Sequence, residues 1–157
     1  MSLDKEKLNQ LFNDGWDAKI EGNNEHSKKC FQRIISEVDL KYSYEYIDSF
    51  NGLGSMAFEE GDLAKAKEYY QKAVDLISNY LGKDWQKKKL EWEIIENRPY
   101  LRALHGLCLV EWRNKNFKEA GKLAELLLKI CSNDNLGLRF IIDEIKQEKE
   151  WKEDEEI

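Results

Sequence analysis

Apolar side chains return every three or four residues along most of the chain, the interval at which successive turns of an α-helix present one face. No alternating segment rich in Ser, Thr or Val reads as a strand, and Pro99 is the only proline. The helical pattern is broken by short polar stretches: Gly22-Asn23-Asn24, Gly61-Asp62, Asn114-Lys115-Asn116 and Ser132-Asn133-Asp134. Interruptions this short join helices that fold back beside one another. The pattern therefore predicts an all-α chain of helical hairpins.

Laid against itself, the sequence repeats. In the middle, Phe50-x2-Leu53-Gly54-x2-Ala57-x3-Gly61-x4-Ala66-x3-Tyr70-x2-Ala73 runs without a gap. The same frame fits Leu11-x3-Gly15-x2-Ala18-x3-Gly22-x4-Ser27-x3-Phe31-x2-Ile34 and Leu104-x2-Leu107-Cys108-x11-Ala120-x6-Leu127. Small residues (Gly15, Ser27, Gly54, Ala66, Ala73, Cys108, Ala120) sit where two helix backbones must approach, and Leu53, Tyr70 and Leu107 fill the space beside them. A mid-helix glycine costs about 0.5–1 kcal/mol relative to alanine, so Gly15, Gly54 and Gly106 imply a packing gain that offsets it.

This frame resembles the tetratricopeptide repeat, whose W-x2-L-G-x2-Y then A-x3-F pattern spans about 34 residues. Residues 47–80 are the closest copy; 8–41 and 101–134 are looser, with Asp14 in place of Leu, Glu111 in place of an aromatic and Ala124 in place of Phe or Tyr. The resemblance implies one domain over 1–157, a tetratricopeptide-like α-solenoid of three antiparallel helix pairs. Between the second and third copies, Trp85, Leu90, Trp92, Ile94 and Ile95 stand at helical spacing in a charged background and predict a helical insert over 81–100, either an extension of the fourth helix or an extra short helix that ends before Asn97. Asn97 is expected to cap the following helix, with Pro99 in its first turn. Leu136, Leu138, Phe140, Ile141, Ile142 and Ile145, followed by a charged run, predict a capping helix over 135–153 with a frayed end at Glu153–Ile157.

In such arrays the concave face consists of first-helix residues turned away from the partner helix. Here these are Asn9, Phe12, Trp16, Lys19 and Ile20; then Asp48, Asn51, Ser55, Phe58 and Glu59; then Arg102, His105, Leu109, Trp112 and Arg113. Aromatics and arginine are the types that dominate binding hot spots. The competing reading is that the insert or the last helix fills this hollow and the aromatics are core. The subclass of the family that clamps a terminal carboxylate needs Lys, Asn, Asn, Lys and Arg at the positions held here by Phe12, Trp16, Gly52, Arg102 and Gly106; only Arg102 has the required charge. Apolar or aromatic side chains of a partner are the expected targets.

Composition narrows the remaining classes. The net charge is −6, and eight acids against three bases between Asp143 and Ile157 supply −5 of it, leaving a nearly neutral body. Nucleic acid and anionic membrane are therefore disfavoured as partners. No apolar run approaches the roughly 18 residues of a membrane span, and Met1–Glu6 lacks the apolar stretch of a signal peptide, so a cytoplasmic protein is expected. Cys30, Cys108 and Cys131 each lie in an apolar helical stretch without a C-x-x-C pair, as buried thiols in a reducing compartment do. His26 and His105 have no second ligand at metal spacing, and Gly52-x-Gly54 lacks the strand and third glycine of a phosphate loop, so no metal, cofactor or enzyme activity is expected. The expected role is an adaptor or scaffold that docks a protein or peptide on the concave face. The alternatives are a homodimer formed through Trp85, Trp92 and Trp151, and an RNA-contacting subunit using the Lys83–Lys89 region.

Overall fold

The computed structural model describes residues 3–38 and 43–153. Every regular element among them is helical: α1 (Lys5–Ile20), α2 (Asn24–Glu37), α3 (Ser43–Glu59), α4 (Leu63–Asp75), α5 (Ile77–Leu81), α6 (Arg98–Arg113), α7 (Phe117–Ile130) and α8 (Ile142–Lys146). The last residues of the first copy, 39–41, and the expected frayed end from 154 onward lie outside the described residues, as do Met1 and Ser2.

The first two hairpins turn by the same chemistry. Gly22 and Gly61 take φ of +85° and +82°, a left-handed conformation that glycine adopts without steric cost. The next residue then caps the second helix: the Asn23 side chain accepts from the His26 backbone N–H at 3.2 Å, and the Asp62 side chain from that of Lys65 at 3.1 Å. In the third hairpin the same positions hold Lys115, at φ +65°, and Asn116, whose amide donates to Glu111 Oε2 instead of capping.

The pairs α1–α2, α3–α4 and α6–α7 stack side by side, with α1, α3 and α6 forming one layer and α2, α4 and α7 the other. Two copies show the close approach directly, at equivalent positions. The buried Ser27 hydroxyl donates to the Gly15 carbonyl at 2.7 Å, and the Cys108 thiol to the Ala120 carbonyl at 3.3 Å. Large rings then wedge between the layers. Phe31 lies between Gly15 of α1 and Gly52 of α3, where an added Cβ would stand 2.9 Å from ring atom Cε1 and 2.8 Å from Cδ2 respectively. Tyr70 is held likewise between Gly54 of α3 and Gly106 of α6. The glycines thus recover in ring packing what they lose in helix propensity, since fully burying a ring such as Phe31 is worth about 1.5–3 kcal/mol.

Residues 81–100 are not the expected helical insert. α5 continues from the end of α4 for one further turn and stops at Gly82, φ +89°. Beyond it lie only two 3-10 turns, Trp85–Lys87 and Ile95–Asn97, in an otherwise irregular path. Remote partners satisfy this backbone: Leu90 N–H donates to the Ile130 carbonyl at 2.7 Å, and Arg98 Nε to the Trp92 carbonyl at 2.8 Å. Trp85 and Leu90 are buried with α5, α6 and α7, whereas Ile94 and Ile95 stay about half exposed. Asn97 precedes α6 but does not cap it, because its amide donates to the Glu91 carbonyl. Pro99 does sit in the first turn.

The expected capping helix over 135–153 is also much reduced. Asp134 accepts from the Leu138 and Arg139 N–H groups, Gly137 is left-handed at φ +76°, and a 3-10 turn over Leu138–Phe140 leads into the five-residue α8. Glu148, at φ +57°, ends it, and residues 149–153 run on without regular structure. Ile145 nevertheless caps the array, fully buried against α7.

Candidate functional site

The layer formed by α1, α3 and α6 is hollowed on its outer side. A central cavity of about 460 Å³ is lined by Trp16, Asn51, Ser55, Phe58, Glu59, Tyr70, Arg102, His105, Gly106 and Leu109. Trp16 and Arg102 also line a smaller neighbour of about 280 Å³, which adds Phe12, Tyr44 and Asp48. At the other end, Phe58 and Leu109 are shared with a third hollow of about 890 Å³ that adds Trp112 and residues of the closing segment. Shared walls make the three one groove across the repeats.

A polar network anchors its floor. Asp48 is almost wholly buried on α3; Arg102 of α6 pairs with its Oδ2 at 3.0 Å, and Asn51 Nδ2 donates both to its Oδ1 and to the Pro99 carbonyl, each at 2.9 Å. Burial pushes the Asp48 carboxyl above its ordinary range, against the pull of the Arg102 guanidinium. Arg102 in turn lies over the Trp92 ring at 5.6 Å. Because breaking a buried charge network costs several kcal/mol, these groups hold α3 and α6 in register and fix the groove's shape. Two further atoms of groove-lining residues, Trp16 Nε1 and Asn51 Oδ1, are buried with no hydrogen-bond partner among the described residues. Each such orphan typically costs about 1–3 kcal/mol.

The other concave-face residues are placed as follows. Phe12 stands edge-on to Trp16 and Phe31, both at 6.5 Å. Lys19 bridges to Glu59 at 3.0 Å, and Ser55 bonds the Tyr70 hydroxyl, which burial pushes well up. Burial pushes the His105 imidazole down, leaving it neutral at pH 7. Trp112 is buried, and its indole N–H donates to the Lys149 carbonyl at 2.7 Å. Arg113 donates to the Phe58 carbonyl at 2.7 Å and stacks on the Phe58 and Trp151 rings. Asn9 and Ile20 are exposed on α1 and line none of these three hollows.

Tyr44, Tyr70 and Trp151 line the groove but are not among the residues that the sequence assigns to the concave face. The repeat frame places Tyr70 between the layers; only the bare wall left by Gly54 and Gly106 exposes its edge to the hollow. Several residues behind the two alternative surfaces are engaged within the chain. Trp85 is buried, Trp92 carries Arg98 and Arg102, and Trp151 packs on Phe58. Of the insert lysines, Lys88 and Lys89 donate to the carbonyls of Leu81 and Lys129.

Chemically the groove and its rim offer ring faces, the Arg102 and Arg113 guanidinium groups and hydrogen-bonding groups. Among the described residues no group of three or more His, Cys, Asp or Glu is placed to hold a metal, and no helix is long and apolar enough to cross a membrane. The Cys108 thiol, in contact with the Ala120 carbonyl, is pushed by burial up to about 12, and it is not a nucleophile at neutral pH.

Comparison with curated proteins finds no match. The family model of the tetratricopeptide repeat matches residues 47–80, which span most of α3, all of α4 and most of α5. With helix pairs stacked on both sides of that match in the same frame, the chain carries a tetratricopeptide repeat within an all-helical hairpin array.

Proposed function

We propose that the chain is a non-enzymatic adaptor that docks a peptide or protein segment in the groove of α1, α3 and α6. The observation that carries this reading is the continuity of the groove: three hollows share Trp16, Arg102, Phe58 and Leu109 and span all three repeats. A segment lying along it would bury apolar groups against Phe12, Trp16, Phe58 and Leu109. Arg102 and Glu59 at the walls would select among partners by charge.

Selection of peptides from a random display library on the intact chain tests this. Selected peptides should bind Trp16→Ala and Leu109→Glu at least tenfold more weakly, while circular dichroism of both variants matches the parent. Unchanged affinity in both folded variants would falsify the groove assignment.

A further inference from the structure

The groove already holds one segment, and it belongs to this chain. After Glu148 turns the backbone at φ +57°, residues 149–153 pass without regular structure over the end of the groove. Three contacts made by groove residues hold them. Trp112 Nε1 donates to the Lys149 carbonyl at 2.7 Å; the Trp151 ring meets Phe58 edge-on at 5.3 Å; and the Arg113 guanidinium stacks on Trp151 at 4.4 Å. A fourth, the Lys115–Glu150 ion pair at 3.0 Å, is exposed on both sides and holds little. The segment forms one wall of the hollow of about 890 Å³, opposite Phe58, Leu109 and Trp112 in its lining, so it does not fill the groove as a core element would.

We propose that residues 149–153 are a built-in occupant of the groove, and that they specify its external partner: an irregular or extended peptide presenting one aromatic ring preceded by an acidic residue, which binds by displacing Trp151. The ring enters between Phe58 and Arg113, where a cation faces its π-surface, and a backbone carbonyl next to it takes the Trp112 N–H. In the resident version Glu150 stands directly before Trp151 and pairs with Lys115, while Lys152 follows the ring. Tethering keeps that version at high effective concentration, so it lowers the apparent affinity of any external strand by the fraction of time the clamp is filled. This inference rests on the concave-face reading above and adds to it the partner's chemistry and a gate.

The test uses the intact chain and a fluorescent peptide carrying the sequence of residues 147–157. By anisotropy, Trp151→Ala should bind this probe about tenfold or more tightly than the parent chain does. Adding Arg113→Ala to Trp151→Ala should reverse the gain, and a probe with alanine for its tryptophan should not bind. Equal affinity of parent and Trp151→Ala, or binding by neither, overturns the proposal. The groove reading then still stands or falls on Trp16→Ala and Leu109→Glu with library-selected peptides. A parent chain whose mass doubles with concentration while Trp151→Ala stays single also overturns it, since the segment would then occupy a second copy. Should Trp151→Ala not fold, hydrogen exchange of the parent decides: excess probe must speed exchange over 149–153 and slow it in α6, and no change there refutes displacement.

Discussion

Gly106→Ala tests the packing at its tightest point. An added Cβ would fall among the Tyr70 ring atoms, with even the third-nearest at 2.6 Å. The ring has little room to retreat, because on its other side even a Cβ added to Gly54 would already stand 3.0 Å away. Two effects oppose each other. Alanine gains about 0.5–1 kcal/mol of helix stability over glycine, while overpacking a buried ring costs about 1–3 kcal/mol. An overlap this deep belongs at the upper end of that range, so the net loss should be about 1–2 kcal/mol, or roughly 2–8 °C in Tm for a chain of this size. Gly54→Ala, at the margin of contact, should stay within about 0.5 kcal/mol of the parent. Gly121→Ala on α7, with its nearest atom at 3.9 Å, should gain about 0.5–1 kcal/mol. Urea unfolding followed by circular dichroism should therefore rank Gly121→Ala first and Gly106→Ala last, and shortening the ring with Tyr70→Leu should abolish the Gly106→Ala penalty in a double-mutant cycle. A Gly106→Ala chain as stable as its parent would refute the argument that the glycines exist to admit the ring.

Three further outcomes follow from local geometry. Lys115 holds at φ +65° the turn position that glycine holds in the other two hairpins, so Lys115→Gly should raise stability by about 1 kcal/mol in thermal unfolding; the exposed pair with Glu150 that it removes contributes little. Asp62→Ala removes the cap of α4 and should cost about 1 kcal/mol by the same measurement, with Asp62→Asn close to neutral. Because burial holds the His105 imidazole below its ordinary value of 6.5, the unfolded chain takes up that proton first on acidification. Stability is thus full above that pH and declines as pH falls through it, and His105→Gln should flatten the decline in urea midpoints between about pH 7 and 5.

The hairpins and the face they expose were legible because each copy states the same spatial requirement twice. Gly15 with Ser27, and Cys108 with Ala120, are small at the two positions where backbones meet, and the two hydrogen bonds between them confirm the approach. Ala124 departs from the frame for a reason visible only in three dimensions. The rings Phe31 and Tyr70 each need glycine on the next helix of the α1, α3, α6 layer, and no such helix follows α7 among the described residues; there Gly121 instead faces Ile145. The insert misled because periodicity counts apolar side chains without saying what satisfies the backbone. Trp85 and Leu90 reach the core from an irregular path whose N–H and C=O groups find partners as distant as Ile130. The closing segment misled for a related reason, since nothing local marks Glu148 for a left-handed turn, and the contacts that hold Trp151 come from α3 and α6.

Helix α3 carries two duties on neighbouring residues. Gly52 and Gly54 receive the rings of the outer layer, while Asn51, Ser55 and Phe58 line the groove. The glycines make the wall between these two environments thin, and so Tyr70, a packing residue, forms part of the binding surface. Trp16 leans on Phe31 from the groove side at 5.1 Å, but Phe31 remains held between Gly15 and Gly52 whatever Trp16 becomes. Substitutions on the groove side should therefore weaken docking with little change in stability. Changes at Gly52 or Gly106 should alter stability first and docking through it. A Trp16→Ala chain that unfolds as Gly106→Ala does would mean that groove and layer packing are one structure, and that the groove aromatics are core after all.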